Sequence, residues 1–242
     1  MTLSTHDTPL SQDEVLQRIG EVRERLGEDV YILVHHYERD EVVRFADVVG
    51  DSLELSREAA AQGRARYIVF CGVDFMAETA AMLCGAQQTV LIPEPTAHCP
   101  MAAMVNADEA ALAYGRLSSL WGGDLLPITY QNSDAQVKAL CGRHGGAVCT
   151  SANAGTLFRW ALGQRGHLLF FPDEHLGTNT ALAMGLPQQE IALWNPREPE
   201  ASSERAAGAR VVVWQGYCHV HTRFTVSDVQ RVRREHPSAR VI

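Results

Sequence analysis

Two cysteines of this sequence lie in polar loops where they could bind a metal. Cys99 lies in the loop PTAHCPMA and Cys218 in the loop GYCHVHTR. Thiolates suit zinc or an iron–sulfur cluster. Zinc would also use a neighbouring histidine, of which the candidates are His98, His219 and His221. The alternative is that a cysteine is a small buried apolar residue, and we keep it for those in or beside apolar segments, which are Cys71, Cys84, Cys141 and Cys149.

Other polar and reactive residues also follow apolar segments of the chain. The sequence HHY begins at His35, YQN at Tyr130, TSAN at Thr150 and PDEH at Pro172. Ligands of open α/β folds bind at the carboxyl ends of the strands. So many polar strand ends therefore predict one shared pocket.

Two short hydroxyl-containing motifs precede helical segments. They are Gly50-Asp51-Ser52 and Thr150-Ser151. A hydroxyl beside free backbone amides at a helix start can bind a carboxylate or a phosphate. The alternative is an ordinary helix N-cap. Because the two motifs occupy equivalent places, they favour an anionic substrate.

The elements that position these residues alternate between strand and helix. The candidate strands are continuously apolar, which is typical of parallel strands that are covered on both faces. They are Val30–Val34, Tyr67–Cys71, Thr89–Ile92, Leu125–Thr129, Ala147–Cys149, Leu168–Phe171 and Val211–Trp214. Helices fit between most of them, and this order predicts an α/β fold.

The sequence also predicts two capped helix starts and one irregular segment. Ser11 with Glu14 forms a capping box before a helical repeat of apolar residues, and Thr225 with Asp228 caps a later helix. The segment Asn195–Gly208 is rich in Pro, Glu, Ser and Ala, a composition that predicts a solvated surface insertion.

A weak internal repeat relates the two cysteine loops. Cys99 is followed by a helix over Asp108–Leu120 and then a strand, and Cys218 is followed by a helix and then by Ala239–Ile242. A parallel strand without a following helix leaves its faces uncovered, so we expect the fold to be interrupted at Ile242. The alternative is a small edge strand that ends a domain.

Composition excludes several classes of protein. The 242 residues carry a formal net charge of −8 without a cluster of lysine and arginine, which argues against a nucleic acid or an anionic membrane surface as partner. No apolar run approaches the roughly 18 residues of a membrane span. The first residues are not typical of a secretory signal, and the six cysteines include no C-x-x-C pair. A reducing, cytoplasmic location is predicted.

Taken in order, these motifs resemble the quinolinate synthase family, the iron–sulfur enzymes of NAD biosynthesis. The resemblance extends from about Val30 to the end of the sequence, with the segment before Val211 as its main irregularity. The stretches that carry it are ILVHHYERDEV, ADVVGDSLELSREA, FCGVDFMAETAAML, TVLIPEPTAHCPMA, TYQNSDAQVKAL, VCTSANA, FFPDEHLGTNTA and WQGYCHVHTRFT.

The resemblance implies repeated three-layer α/β/α domains with parallel sheets, arranged around a pseudo-threefold axis, with the third domain truncated here. The expected domains are residues 1-98, 99-218 and 219-242. A [4Fe–4S] cluster would lie at the centre, held by one cysteine from each domain, with the fourth iron open as a Lewis acid.

The implied reaction condenses iminosuccinate with dihydroxyacetone phosphate and releases phosphate and two waters to give quinolinate. L-aspartate oxidase or aspartate dehydrogenase is a candidate source of iminosuccinate. By motif position, Cys99 and Cys218 resemble the first two cluster ligands, Tyr37 the tyrosine of proton transfer and His221 a pocket histidine. The positions that resemble substrate-binding or catalytic residues are His35, Ser52, Tyr130, Gln131, Asn132 and Ser151.

One departure from the family pattern is large. After Val241-Ile242 the family continues into a histidine–proline–glutamate loop, a third hydroxyl and a third cysteine. Two thiolates do not hold such a cluster securely, so we expect this polypeptide alone to be inactive. Two other hypotheses are a non-catalytic, anion-binding relative of the same fold and a zinc-dependent hydrolase. For the hydrolase, no histidine pair with a glutamate at metalloprotease spacing is present.

Overall fold

The computed structural model describes residues 10–240 and divides the chain into two compact units, the first ending at Ala97 and the second beginning at His98. Both units contain a parallel sheet with helices between successive strands, which confirms the α/β class. The three-part division at residues 98 and 218 stays a prediction. No helix among residues 10–240 has the length and apolar character needed to span a membrane.

The first unit is built around a four-stranded sheet. Its helices and strands are, in chain order, α1 (Gln12–Leu26), β1 (Val30–His35), α2 (Asp40–Val43), β2 (Val48–Gly50), α3 (Ser52–Ala61), β3 (Tyr67–Cys71), α4 (Asp74–Leu83) and β4 (Thr89–Leu91). The strands are parallel in the order β2-β1-β3-β4. Buried apolar residues of β1, β3, α3 and α4 form its core, among them Leu33, Phe70, Leu55 and Phe75.

The second unit is built around a five-stranded sheet. Its helices and strands are α5 (Ala107–Leu120), β5 (Leu125–Tyr130), α6 (Ala135–Arg143), β6 (Ala147–Cys149), α7 (Ala154–Gln164), β7 (His167–Phe171), α8 (Glu174–Ala183), β8 (Ile191–Trp194), α9 (Pro199–Ala206), β9 (Val211–Trp214) and α10 (Val226–Glu235). The strand order is β6-β5-β7-β9-β8, and every pair is parallel.

Helices cover both faces of the second sheet. Successive residues of a strand point to opposite faces. Phe171 and Trp214 accordingly pack in one cluster with residues of α5, α6 and α9, and Phe170 and Val213 pack in a second cluster with residues of α7 and α8. This unit is therefore a three-layer α/β/α structure with its strand ends free to carry polar loops.

The seven predicted strands are present, and the structure adds β2 and β8. These two strands lie at sheet edges. Edge strands are often short. Strand β2 has only two apolar residues, whereas β8 is a continuous apolar run of four residues that the sequence analysis did not select. Both predicted capping boxes are confirmed, at Ser11 with Glu14 and at Thr225 with Asp228.

The segment Asn195–Gly208 lies largely at the surface, as predicted, but it contains a helix that the sequence analysis did not predict. This segment contains α9, and Ser202 and Ala206, one turn apart on that helix, are fully buried. The hydroxyl of Ser202 accepts a hydrogen bond from the backbone amide of Asn195 at 3.0 Å. Small side chains let the helix approach the sheet closely, but they give no apolar periodicity from which to predict burial.

The internal repeat is visible in the topology. The order β6-β5-β7-β9 of the second sheet repeats the order β2-β1-β3-β4 of the first, and β8 is an added edge strand. The register also repeats, because His35 pairs with Gly50 between β1 and β2, and Tyr130 pairs with Cys149 between β5 and β6.

The strand predicted at Ala239–Ile242 falls partly beyond the described residues. Ala239 and Arg240 follow a turn after α10 and are not in a strand, and Val241 and Ile242 lie outside the part of the chain that the structure describes.

Candidate active site

In the first unit, the ends of β1 and β2 bring three predicted site residues together. The hydroxyl of Ser52 lies 3.4 Å from Nε2 of His35, and the rings of His35 and Tyr37 are 4.0 Å apart between centroids. Burial lowers the pKa of His35, and the neighbouring His36 adds to this effect. A lowered pKa favours the neutral imidazole, which can donate one hydrogen bond and accept another.

Tyr37 is the most exposed of these residues. Its side chain is 56% exposed, and its hydroxyl lies 4.0 Å from the sulfur of Met76. Tyr37 is therefore largely exposed beside His35 at the carboxyl edge of the sheet, while its hydroxyl contacts Met76.

The predicted anion-binding motif at Ser52 needs a correction. The N-cap of α3 is Asp51, whose carboxylate accepts hydrogen bonds from the amides of Leu53 and Glu54 at 3.0 and 2.9 Å. These amides are therefore already used by an anionic side chain of the protein. Ser52 instead turns its hydroxyl towards His35, so the pair of side chains is the feature available to a ligand.

In the second unit, Tyr130 and Ser151 form the equivalent pair. Tyr130 ends β5 as His35 ends β1, and an interaction with the side chain of Ser151 opposes the rise in the pKa of its phenol. Burial raises the pKa of Tyr130 to about 12, and the charges of Asp173 and of Cys149 and Cys99 contribute in the same direction. The phenol therefore stays protonated at neutral pH and is a hydrogen-bond donor.

The start of α7 differs from the start of α3. The side chain of Asn153, the N-cap residue, makes no hydrogen bond with the amides of its helix, and its oxygen accepts from the amide of Thr150 at 2.7 Å. The predicted motif Thr150-Ser151 therefore forms a turn beside a helix start that its N-cap side chain leaves open. Gln131 is buried and Asn132 half-buried in the neighbouring loop after β5.

The two cysteine loops have the same backbone plan. The carbonyl of Cys99 accepts from the amide of Ala103 at 3.2 Å, and the carbonyl of Cys218 accepts from the amide of Thr222 at 3.1 Å. Each cysteine is followed by a short 3₁₀ helix, at Ala102–Met104 and at His221–Arg223. A side-chain-capped helix then begins, α5 after the first loop and α10 after the second.

A second pair of hydrogen bonds fixes where each cysteine loop leaves its sheet. The amide of Asp74, at the start of α4, donates to the carbonyl of Ala97 at 2.9 Å. The amide of Glu174, at the start of α8, donates in the same way to the carbonyl of Gly216 at 2.7 Å. Since Ala97 precedes Cys99 and Gly216 precedes Cys218 by the same number of residues, the repeat reaches the cysteines themselves.

The side chains in the two cysteine loops that are able to bind a metal include Cys99, Cys218 and His221. Cys99 and Cys218 are free, half-buried thiols, and His221 is exposed in the 3₁₀ helix after Cys218. Within residues 10–240, no three side chains of His, Cys, Asp and Glu are grouped to hold a metal. Two thiols in equivalent loops are side chains of the kind that bind an iron–sulfur cluster.

Of the remaining cysteines, Cys141 and Cys149 are buried, and Cys71 and Cys84 are half-buried. Burial raises the pKa of Cys71 to about 11 and of Cys149 to about 12, and it also raises the pKa of Cys84 and Cys141. Raised pKa values disfavour the thiolate, which is the form that binds metals. These four residues therefore suit the structural interpretation given to them.

Three residues that shape the site, Asp51, Asp173 and Trp214, lie in the predicted motifs and strands, but the sequence analysis did not assign their roles. Asp51 and Asp173 cap α3 and α8, and each is an aspartate directly before a helix, a signal that was available. Asp173 is buried and forms a bridge with Gly216 in the second cysteine loop. Trp214 donates a hydrogen bond from its indole N–H to the carbonyl of Met104, and no local sequence pattern predicts this contact.

The raised pKa of Tyr130 predicts a loss of stability at alkaline pH. Between pH 10 and 12 an unfolded chain releases the phenol proton while the folded protein keeps it, so the free energy of unfolding falls by about 2 kcal/mol as pH rises. We expect Tyr130→Phe to remove this part of the pH dependence, measured by urea unfolding at about pH 8 and about pH 11. The exposed Tyr217, replaced as Tyr217→Phe, is the control. An unchanged slope in Tyr130→Phe would contradict the assignment.

Comparison with known proteins identifies the family of this chain. The family described as Quinolinate synthetase A protein matches residues 17–242. Quinolinate synthase of Listeria monocytogenes is 44% identical over 242 residues, which is all of this chain and 66% of that protein. Quinolinate synthase of Halalkalibacterium halodurans is 45% identical and that of Bacillus thuringiensis 43%, each over 96% of this chain and 64% of the relative. The chain thus spans about two thirds of the length of these curated relatives, and it belongs to the quinolinate synthetase A family.

Proposed function

We propose that the complete protein is a quinolinate synthase that condenses iminosuccinate with dihydroxyacetone phosphate and releases phosphate and two waters. The observation that supports this proposal is that the chain, a member of this family, repeats the same arrangement of candidate site residues. In each α/β unit a side chain at a strand end lies beside a serine. The last strand of each repeat is followed by one cysteine loop. The anion-binding relative and the zinc hydrolase have no comparable observation in their favour.

Cys99 and Cys218 are proposed as two of the ligands of a [4Fe–4S] cluster. The matched backbone of their loops supports equivalent roles. When bound, such a cluster supplies an open iron position that polarises a substrate oxygen and eases the loss of water. The third thiolate is proposed to come from a further segment of the protein, one that corresponds to the part of the relatives beyond the matched residues.

The paired side chains are proposed to bind the substrates. Tyr130, protonated because of its raised pKa, donates a hydrogen bond to a substrate oxygen, and Ser151 holds its hydroxyl in place. His35 with Ser52 forms the equivalent donor pair. Gln131 and Asn132, in the loop after Tyr130, supply amide groups for the carboxylates or the phosphate.

Tyr37 is proposed to transfer protons during enolisation and ring closure, with His221 as a further pocket residue. We expect Tyr37→Phe, made in the protein extended to the length of its relatives, to keep its iron and lower turnover by about 10²–10⁴-fold, because a positioned acid or base contributes that much. The measurement is quinolinate formation per bound cluster. Tyr67→Phe, on β3, is the control. Turnover near the wild-type value in Tyr37→Phe would remove Tyr37 from the mechanism.

The proposal extends to the location of the protein and to its partners. We place the protein in the cytoplasm, where its free cysteines stay reduced. Its substrates are small anions, and neither nucleic acid nor a membrane is a proposed partner. L-aspartate oxidase or aspartate dehydrogenase would supply the iminosuccinate.

Two experiments test the proposed function. Reading the coding sequence past Ile242 should reveal a histidine–proline–glutamate loop and a further cysteine, whereas a stop codon there would favour the non-catalytic relative. Anaerobic reconstitution of the extended protein should give a brown product with iron and acid-labile sulfide that forms quinolinate. Tight binding of zinc without iron would favour the hydrolase and reject the cluster.

A further inference from the structure

The two cysteine loops of the second unit meet at Met104. This residue ends the 3₁₀ helix that follows Cys99. Its backbone carbonyl accepts a hydrogen bond from Nε1 of Trp214 at 2.9 Å, and its sulfur lies 3.3 Å from the amide nitrogen of Tyr217. Tyr217 directly precedes Cys218 in the sequence. One residue of the first loop thus contacts the chain on the approach to the second cysteine.

The second loop is fixed on its other side by the sheet. Gly216 accepts a hydrogen bond from the amide of Glu174 and forms a bridge with Asp173. A Cβ atom at Gly216 would lie 2.5 Å from the carbonyl oxygen of Pro172 and 3.3 Å from Cβ of Met104. Gly216, two residues before Cys218, is therefore packed between the end of β7 and the loop of Cys99.

Trp214 is the residue that joins these parts. It is the last residue of β9, it is fully buried, and its ring lies 5.5 Å from that of Phe171 between centroids. Its indole N–H is its single polar donor, and the structure directs this donor to the first loop. A buried indole N–H needs a hydrogen-bond partner, and here the residue that supplies it belongs to the loop of Cys99.

We propose that Trp214 is a positioning residue that sets the separation of Cys99 and Cys218 through its hydrogen bond to Met104. The inference rests on the proposed function, in which both thiolates bind one metal centre. Without the indole N–H, the Met104 carbonyl loses its buried donor, and the loop of Cys99 gains freedom to move away from the loop of Cys218. Trp214→Phe removes the N–H together with part of the ring, so a second buried Trp→Phe variant that loses the same ring atoms is needed to separate the hydrogen bond from the packing.

The test measures the separation of the thiols directly in this 242-residue chain. Dibromobimane, a short reagent that joins two nearby thiols, should link Cys99 to Cys218, and digestion with mass spectrometry identifies the linked peptides. We expect Trp214→Phe to form this product about tenfold more slowly, on the scale of one lost buried hydrogen bond. Trp194→Phe is the matched control, because Trp194 is buried in the same apolar cluster, on the adjacent strand β8. The control should react at the wild-type rate.

A thermal melt of each variant separates positioning from general stability. If Trp214→Phe and Trp194→Phe lose similar stability and only the former slows cross-linking, the positioning role is supported. Should Trp214→Phe fail to fold, 3-benzothienylalanine at residue 214 keeps the fused ring, lacks the N–H and should give the same slow reaction. Wild-type rates in both variants would overturn the inference while leaving the cysteine pair intact. Absence of the Cys99–Cys218 product in the wild type would overturn the shared metal centre itself.

Discussion

Replacing Cys99 by alanine, in the protein extended to the length of its curated relatives, should reduce bound iron and quinolinate formation to background. A [4Fe–4S] cluster depends on its cysteine thiolates, and the proposed site supplies one from each repeat. Loss of Cys99 would leave an iron without its protein ligand, so the cluster should not survive gel filtration under anaerobic conditions. Iron and sulfide analysis of the purified variant is the measurement.

The matched control for this prediction is Cys84→Ala. Cys84 follows α4, and burial raises the pKa of its thiol, which disfavours metal binding. This variant should keep its iron and its activity. Iron retained at the wild-type level in Cys99→Ala would show that Cys99 is not a ligand, and iron lost equally in both variants would show that the loss is not specific to Cys99.

Gly216→Ala should destabilise the second unit by about 3 kcal/mol, the upper end of the range for inserting a methyl group into a packed site. The added Cβ would meet the backbone carbonyl of Pro172 at 2.5 Å, and a backbone atom at the end of a central strand moves only if the sheet moves. The easier response is displacement of the loop that carries Cys218. We therefore expect a lower urea midpoint and weaker retention of iron in the extended protein.

Gly208→Ala provides the control for this substitution. It makes the same chemical change between α9 and β9, where nothing lies within 4 Å of the added Cβ. Its free energy of unfolding should stay within about 0.5 kcal/mol of the wild type. Equal urea midpoints for the two variants would mean that the structure accommodates a Cβ atom at residue 216 without loss of stability.

The sequence by itself determined the α/β class, the central strands and the capped helix starts. Continuous apolar runs such as Val211–Trp214 indicate strands covered on both faces, and capping residues such as Ser11 and Thr225 act within one turn of chain. The order of polar motifs also indicated the family and its candidate residues. These signals are local or depend on motif order, so no spatial information is needed to detect them.

Tertiary structure alone decided which side chains meet. The pairs His35 with Ser52 and Tyr130 with Ser151 follow from strand register, and Asp51 rather than Ser52 caps α3. Helix α9 was missed because its buried residues are small, and its place is defined by the groove it fills. Likewise, the hydrogen bond from Trp214 to Met104 joins residues far apart in sequence. Such contacts depend on the distances between packed elements, and neither composition nor periodicity encodes those distances.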